Sequence, residues 1–127
     1  MSKKNKIIYW VATLWLALGM VSTGLVQIIK MEEEVANFTH LGFPLYLMPF
    51  LGIWKILGVA AVLAPKLPLL KEWAYAGFFF AMSGAVFAHI AAGDGAQEVF
   101  GPALLLVLTV VSWYFRPADR KINHSNL

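Results

Sequence analysis

The sequence predicts an all-α integral membrane protein: an antiparallel four-helix bundle with both termini in the cytoplasm. Three observations predict it. Hydrophobic residues make up 60% of the 127, above the ~45–50% usual for soluble domains. The charged residues fall into islands separated by four long apolar stretches, and ~17–25 such residues coiled as a helix match the ~30 Å hydrocarbon core of a bilayer. The islands also alternate in lysine and arginine content, which is the pattern that orients a chain in a membrane. One domain over 1–127 follows, with spans expected at about 7–29, 46–64, 73–92 and 101–115.

The first span, 7–29, carries no charge, and Lys3, Lys4 and Lys6 precede it on the cytoplasmic side. A cleaved signal peptide would also begin this way. The run is too long for a signal h-region, however, and only Ser22-Thr23-Gly24 resembles a small-residue cleavage site, so the span is expected to stay. Ser22, Thr23 and Gln27 are expected to hydrogen-bond between helices. The connection 30–43 sets Lys30 against Glu32, Glu33 and Glu34 and is read as external. Residues 31–38 suit a helix, which Gly42 and Pro44 would end. Either an interfacial helix with Phe38 and Leu41 dipping into lipid or an ordered polar loop fits.

The second span, 46–64, contains a single charge, Lys55, with Gly52 and Gly58 three residues to either side. Lys55 lies ~13 Å into the span, near the midplane. A lysine there costs on the order of 2.5–3.5 kcal/mol, so it should face other helices and have a partner. The connection 65–71, with Lys66, Lys71 and two prolines, is internal. In the third span, 73–92, His89 is the one ionisable residue. Gly77, Ala81, Gly84, Ala85 and Ala88 form a stripe expected to pack closely against a neighbour. The connection 93–98 holds Asp94 and Glu98 and no basic residue, so it is external. The fourth span, 101–115, is uncharged and leads to Arg116, Arg120 and Lys121 inside. Tyr9, Trp10, Tyr46, Trp73, Tyr75, Trp113 and Tyr114 lie near span ends, as interfacial anchors do.

Much chemistry is excluded. Cysteine is absent, which removes disulfides, thiol relays and cysteine-ligated metal centres. His40, His89 and His124 show no metal-ligand spacing, and no Gly-rich phosphate loop occurs. The basic residues cap apolar spans rather than forming a stripe, so nucleic acid is not an expected partner. No cofactor motif and no catalytic constellation are evident, and no activity of the chain on its own is expected. What remains is a candidate intramembrane polar site of Lys55, His89 and Asp94. His89 should sit ~9 Å above Lys55 along the membrane normal, a gap that a lysine stem or one water would close. Asp94, Glu98 or the three glutamates of the first connection are the available carboxylates. A ligand site and a network that merely fixes helix register both fit these residues. A small multidrug-exporter type of transporter does not, because it relies on a carboxylate within the first span.

A family resemblance is carried by an ordered set of residues. It begins with Leu41-Gly42-Phe43-Pro44-Leu45-Tyr46 and Leu51-Gly52-Ile53-Trp54-Lys55-Ile56-Leu57-Gly58. It continues through Ala64-Pro65-Lys66, Leu70-Lys71-Glu72-Trp73-Ala74-Tyr75-Ala76-Gly77-Phe78, Gly84-Ala85, His89 and Gly93-Asp94, and closes with Ser112-Trp113 and Arg116-Pro117. On these residues the chain resembles the DoxX-like family of small four-helix membrane proteins, whereas the first span matches only in character. The resemblance implies a bacterial cytoplasmic membrane protein, with the lipid bilayer and a membrane-protein partner or a second copy as its associates. The broader family includes a subunit of a thiosulfate:quinone oxidoreductase. The function expected first is an accessory or assembly subunit for a membrane partner. The alternative is a redox-linked subunit interacting with the quinone pool, with Lys55 and His89 bonding quinone oxygens. Similar members often have an acid where this chain has Ala81, and a serine where it has Ala88.

Overall fold

The computed structural model describes residues 2–121, so His124 lies outside the described residues. These are all-α: α1 (Lys3–Ile28), α2 (Glu32–Leu41), α3 (Leu47–Leu63), α4 (Pro68–Ala91), α5 (Ala96–Tyr114) and a closing 3-10 turn, Ala118–Arg120. By length and composition, α1, α4 and α5 are able to cross a membrane. Helix α3 is shorter than the expected span, its 17 residues rising ~25 Å. Pro65 ends it by forcing Ala64 into an extended conformation, as a proline does to the residue before it.

Three helices end in the same way, and the endings place the polar residues. Where α2 stops, Gly42 takes a left-handed φ of 83°; the Gly42 N–H donates to the Thr39 carbonyl and the Phe43 N–H to that of Phe38. This is the Schellman arrangement, completed by a hydrophobic contact across it, here the Phe38 and Phe43 rings 6.0 Å apart. Lys30 ends α1 similarly at φ 54°, and Gly93 ends α4 at φ 80°. Glu32, Glu33 and Glu34 occupy the first turn of α2, where carboxylates favour the positive end of the helix dipole. Of the helix and the ordered loop that the sequence allows for 31–43, the helix is found, over Glu32–Leu41. Phe38 is buried within the protein rather than dipping into lipid.

Helix α1 packs against α3 and α5, and α4 packs against both α3 and α5. The closest crossing joins α1 and α3. A side-chain carbon built on Gly52 would collide with the Gly24 carbonyl and the Ile28 side chain, so only glycine permits this approach. On the other side, Gly58 lies against the Phe78 ring of α4. The glycines flanking Lys55 are therefore packing residues, as expected. The stripe on α4 is not. Nothing lies within 4 Å of a carbon added at Gly77 or Gly84, and Ala81, Gly84, Ala85 and Ala88 line a cavity instead. Small residues make a close approach available without compelling a neighbour to fill the space.

The dense core lies toward the end that carries most of the lysines and arginines. It consists of Ala12, Leu16, Ala17 and Met20 of α1, Val59 and Val62 of α3, Tyr75, Phe78 and Met82 of α4, and Leu108 of α5. Hydroxyls tie α1, α4 and α5 there. The Ser112 hydroxyl lies 2.6 Å from that of Thr13 and 2.8 Å from that of Tyr75, all buried. Tyr9 is wholly buried beside them. Tyr9 and Tyr75 thus serve the core rather than anchor an interface, while Tyr46, Trp73, Trp113 and Tyr114 remain exposed. Large apolar side chains such as Leu18, Phe80 and Phe87 face outward, as lipid-facing positions do.

Lys71 departs most from its sequence reading. It sits in the first turn of α4, 1% exposed, not in a solvated connection. Its ammonium donates to the carbonyls of Ala61 (2.9 Å), Lys66 (2.7 Å) and Ala64. Arg120 adds bonds from Nη1 to the Val62 carbonyl at 3.0 Å and the Ala64 carbonyl at 3.4 Å. The last carbonyls of a helix have no partner within it, and cations suit its negative end. Two side chains from separate parts of the chain thus close α3. They also hold the turn in which Lys66 and Leu67 are both left-handed, at φ 62° and 60°, a conformation costing ~1–2 kcal/mol per non-glycine residue.

Thermal unfolding in detergent should separate the two glycine classes: Gly52→Ala should destabilise by about 1–3 kcal/mol through overpacking, and Gly84→Ala should stay within about 0.5 kcal/mol of the parent. Lys71→Met, which removes the donor to three carbonyls, should cost at least about 1–3 kcal/mol in the same measurement.

Candidate functional site

The cavity opens toward the end of the molecule that holds Glu32, Glu33, Glu34, Asp94 and Glu98. Its volume is about 1020 Å³, at the upper limit of the ~300–1,000 Å³ range common for small-molecule sites. Thr23 and Gln27 of α1, Leu51 and Lys55 of α3, and Ala85 and His89 of α4 all line it. Helix α2 contributes Glu34, Asn37, Phe38, His40 and Leu41 to the wall and so covers one side of the space. Phe80 and Phe87, also in the lining, are 70% and 73% exposed, so the wall runs out onto the apolar surface of α4.

The Gly24–Gly52 crossing sets Lys55 beside α1. Its ammonium donates to the Thr23 hydroxyl at 3.3 Å, and Thr23 donates in turn to the Gly19 carbonyl at 3.0 Å. Among the described residues no carboxylate lies within ion-pair distance of Lys55. The expected link to His89 does not form: Lys55 and His89 line one cavity but bond different partners. An ammonium has three N–H donors, and Thr23 takes one. Thr23 therefore makes the interhelical bond expected of it. Ser22 is exposed, and the Gln27 amide oxygen, buried, accepts no hydrogen bond among the described residues.

His89 and Asp94 do come together, for a backbone reason. In the Schellman ending of α4 the Asp94 N–H donates to the His89 carbonyl at 2.9 Å, which turns the chain back so that the two side chains meet. The His89 Nδ1 lies 2.7 Å from one Asp94 oxygen. His40 of α2, which the sequence gave no reason to include, places Nε2 2.7 Å from the other. One carboxylate thus bridges two imidazoles and ties α2 to the end of α4. Hydrogen bonds from His89 and, next, His40 hold the Asp94 carboxyl below its usual 3.8. Each imidazole in its neutral form donates to the ionised carboxylate, which leaves the other ring nitrogen as an acceptor. A glycine at position 93, four residues after a histidine and followed by aspartate, was the available signal for the first pair. Nothing local signalled His40, 54 residues from Asp94.

The sequence profile of the DoxX-like family matches residues 11–112. The chain belongs to the DoxX-like family. With its long apolar helices, this DoxX-like chain is an integral membrane protein. No curated protein and no solved structure matches it. Ala81 and Ala88 both line the cavity. The α4 wall of the cavity is accordingly apolar at these positions.

Removing the α2 tether should be visible in hydrogen exchange. His40→Ala should speed exchange of the α2 amides several-fold while leaving those of α1 and α5 unchanged. A depressed carboxylate gives its stabilisation above the unfolded value and loses it as pH falls through the folded one. Protection of α2 in the parent protein should therefore hold from pH 7 to pH 5 and fall only below the usual 3.8 of an aspartate.

Proposed function

We propose that this DoxX-like protein is a four-crossing membrane bundle, with both ends in the bacterial cytoplasm, that holds a lipid-soluble ligand of the quinone type in its external half. The orientation rests on charge. Lys3, Lys4, Lys6, Lys66, Arg116 and Arg120 gather at one end, and Glu32, Glu33, Glu34, Asp94 and Glu98 at the other, as the positive-inside rule requires. On this reading α3 crosses with the other three helices despite its shorter length, and the cavity opens toward the outer leaflet.

The observation that carries the ligand reading is that Lys55 makes no ion pair: Glu34, whose charge acts on it, lines the same cavity but stands beyond ion-pair distance. A lysine held near the centre of a membrane to fix helix register would close on a carboxylate, because an isolated charge there is expensive. This one bonds a single hydroxyl and otherwise faces a cavity large enough for a substituted ring. A ring oxygen able to accept from the ammonium completes the site, and the apolar α4 wall accommodates the ring and its tail. The sequence has no cysteine to carry electrons through thiols or iron–sulfur clusters. On this reading the accessory role is that of a subunit presenting the ligand to a partner protein that oxidises or reduces it.

Binding of decyl-ubiquinone to the protein in lipid nanodiscs tests this reading. Lys55→Met should weaken binding by about 10-fold or more, the size expected for losing a hydrogen bond from a charged donor. Unchanged binding in that variant, or no binding by the parent protein, would end the reading.

A further inference from the structure

We infer that α2 is a hinged lid over the cavity, that the hydrogen bond between His40 and Asp94 is its latch, and that polar solutes reach the cavity when α2 swings away. The inference concerns access, and it is independent of what the cavity binds.

Helix α2 is too short to cross a membrane, its 10 residues rising ~15 Å. It lines the cavity with Glu34, Asn37, Phe38, His40 and Leu41, yet it is lightly held. Phe38 is its one buried residue, and the Phe38 ring meets Phe43 of its own Schellman ending, a contact that travels with the helix. Asn37 and Thr39 bond within α2, to Glu34 and to the Val35 carbonyl. Among the described residues, the His40–Asp94 bond is the one side-chain hydrogen bond joining α2 to another part of the chain. An element with few buried contacts opens at a lower free-energy cost than the rest of a structure. Both ends of α2 suit such a movement. Lys30 and Gly42 take left-handed φ values of 54° and 83°, and nothing lies within 4 Å of a carbon added at Gly42. Hinges are a few element-terminal residues of this kind, which absorb the change in φ and ψ.

The latch has a fixed half and a releasable half. Asp94 is fixed by the His89 ring at 2.7 Å, a side chain only 8% exposed, and by its own N–H on the His89 carbonyl at 2.9 Å. Its other carboxylate oxygen is left for α2. His40, which takes it, is 51% exposed, so water replaces Asp94 as its partner when the bond opens. A hydrogen bond exchanged for one to water contributes a modest net stabilisation, as a lid that both closes and opens requires. The other directions are closed to a polar solute. The basic end is filled by the dense core. The wall that runs out past Phe80 and Phe87 meets hydrocarbon, which a charged group enters only at high cost.

The sequence has no cysteine, so one introduced thiol reports access. Ala88→Cys places it in the cavity lining. Gln97→Cys, exposed in the first turn of α5 and outside the lining, is the control. Each full-length protein in nanodiscs is modified with a negatively charged, membrane-impermeant thiosulfonate. Where opening is fast relative to modification, the rate follows the open population, so Ala88→Cys should react at least about 10-fold more slowly than Gln97→Cys. Adding His40→Ala to Ala88→Cys should speed the reaction by about 5-fold, the size expected for losing one water-exposed bond to a charged acceptor. The control thiol should keep its rate. Adding His40→Gln, which retains an N–H donor at similar reach, should leave the rate within about twofold of Ala88→Cys alone. An unchanged rate with His40→Ala would overturn the inference, as would equal acceleration by both substitutions. Acceleration of the control thiol would overturn it too, because the whole end of the molecule would then be loosening. Absence of any reaction at Ala88→Cys in every variant would show that α2 gates no path from water. No ligand enters the measurement, so each of these failures leaves the ligand reading standing.

Discussion

The contact between Gly24 and Gly52 is the constraint on which the arrangement of polar groups depends. It brings the backbones of α1 and α3 so close that a single added carbon at Gly52 would strike a carbonyl oxygen. Lys55, three residues along, is thereby set against Thr23, and Gln27 lies one turn further along α1. Helix α4 does not follow α3 at this end. It meets α3 near Gly58 and Phe78, and its small residues then face open space. The cavity is the consequence of one tight crossing and one divergence. In lipid, where burial of apolar surface gives helices little reason to associate, such local steric fits decide where space remains.

Polar side chains in this protein divide by the company they keep. Toward the basic end most are paired: Lys71 and Arg120 with the final carbonyls of α3, and Thr13, Tyr75 and Ser112 with one another, while the buried Tyr9 hydroxyl has no partner among the described residues. On the cavity side Lys55 is only partly paired, and the Gln27 oxygen is not paired at all. A helix that ends where water is scarce has to find donors for its carbonyls, which accounts for the first group. The second group closes no helix end. The distinction between a lysine that closes a helix and a lysine that faces a cavity is therefore local. It depends on whether carbonyls or free volume lie within reach.

The all-α class and three long apolar helices were legible in the sequence, because exclusion of charge over about twenty residues is a strong signal that needs no knowledge of neighbours. The glycines beside Lys55 were read correctly as packing residues, yet the same logic failed for Gly77, Gly84 and the alanines of α4. Composition reports that a helix is able to be approached closely, not that another helix does so. The sequence places Lys71 in a loop because Pro65 and Pro68 look like punctuation. Pro68 in fact opens a helix at its first position, where proline is favoured, and this turns Lys71 inward. His40 was invisible for the ordinary reason that a pair 54 residues apart leaves no periodic trace. The His89–Asp94 pair, by contrast, was brought together by the helix ending between them, and Gly93 announced that ending.

The double closure of α3 has a consequence for how the protein is made. Synthesis proceeds from the N-terminus, so the α3 carbonyls leave the ribosome well before either cation that will hold them. Lys71 arrives within a few residues and supplies the first bonds while α4 is being inserted. Arg120 comes only after α5, and it then spans 58 residues to reach the Val62 carbonyl and lies over the Trp10 ring, 5.0 Å from its centre. It thus joins the beginning, middle and end of the chain in one place. A chain lacking this residue would leave the Val62 carbonyl without its side-chain donor and the end of α3 closed by Lys71 alone.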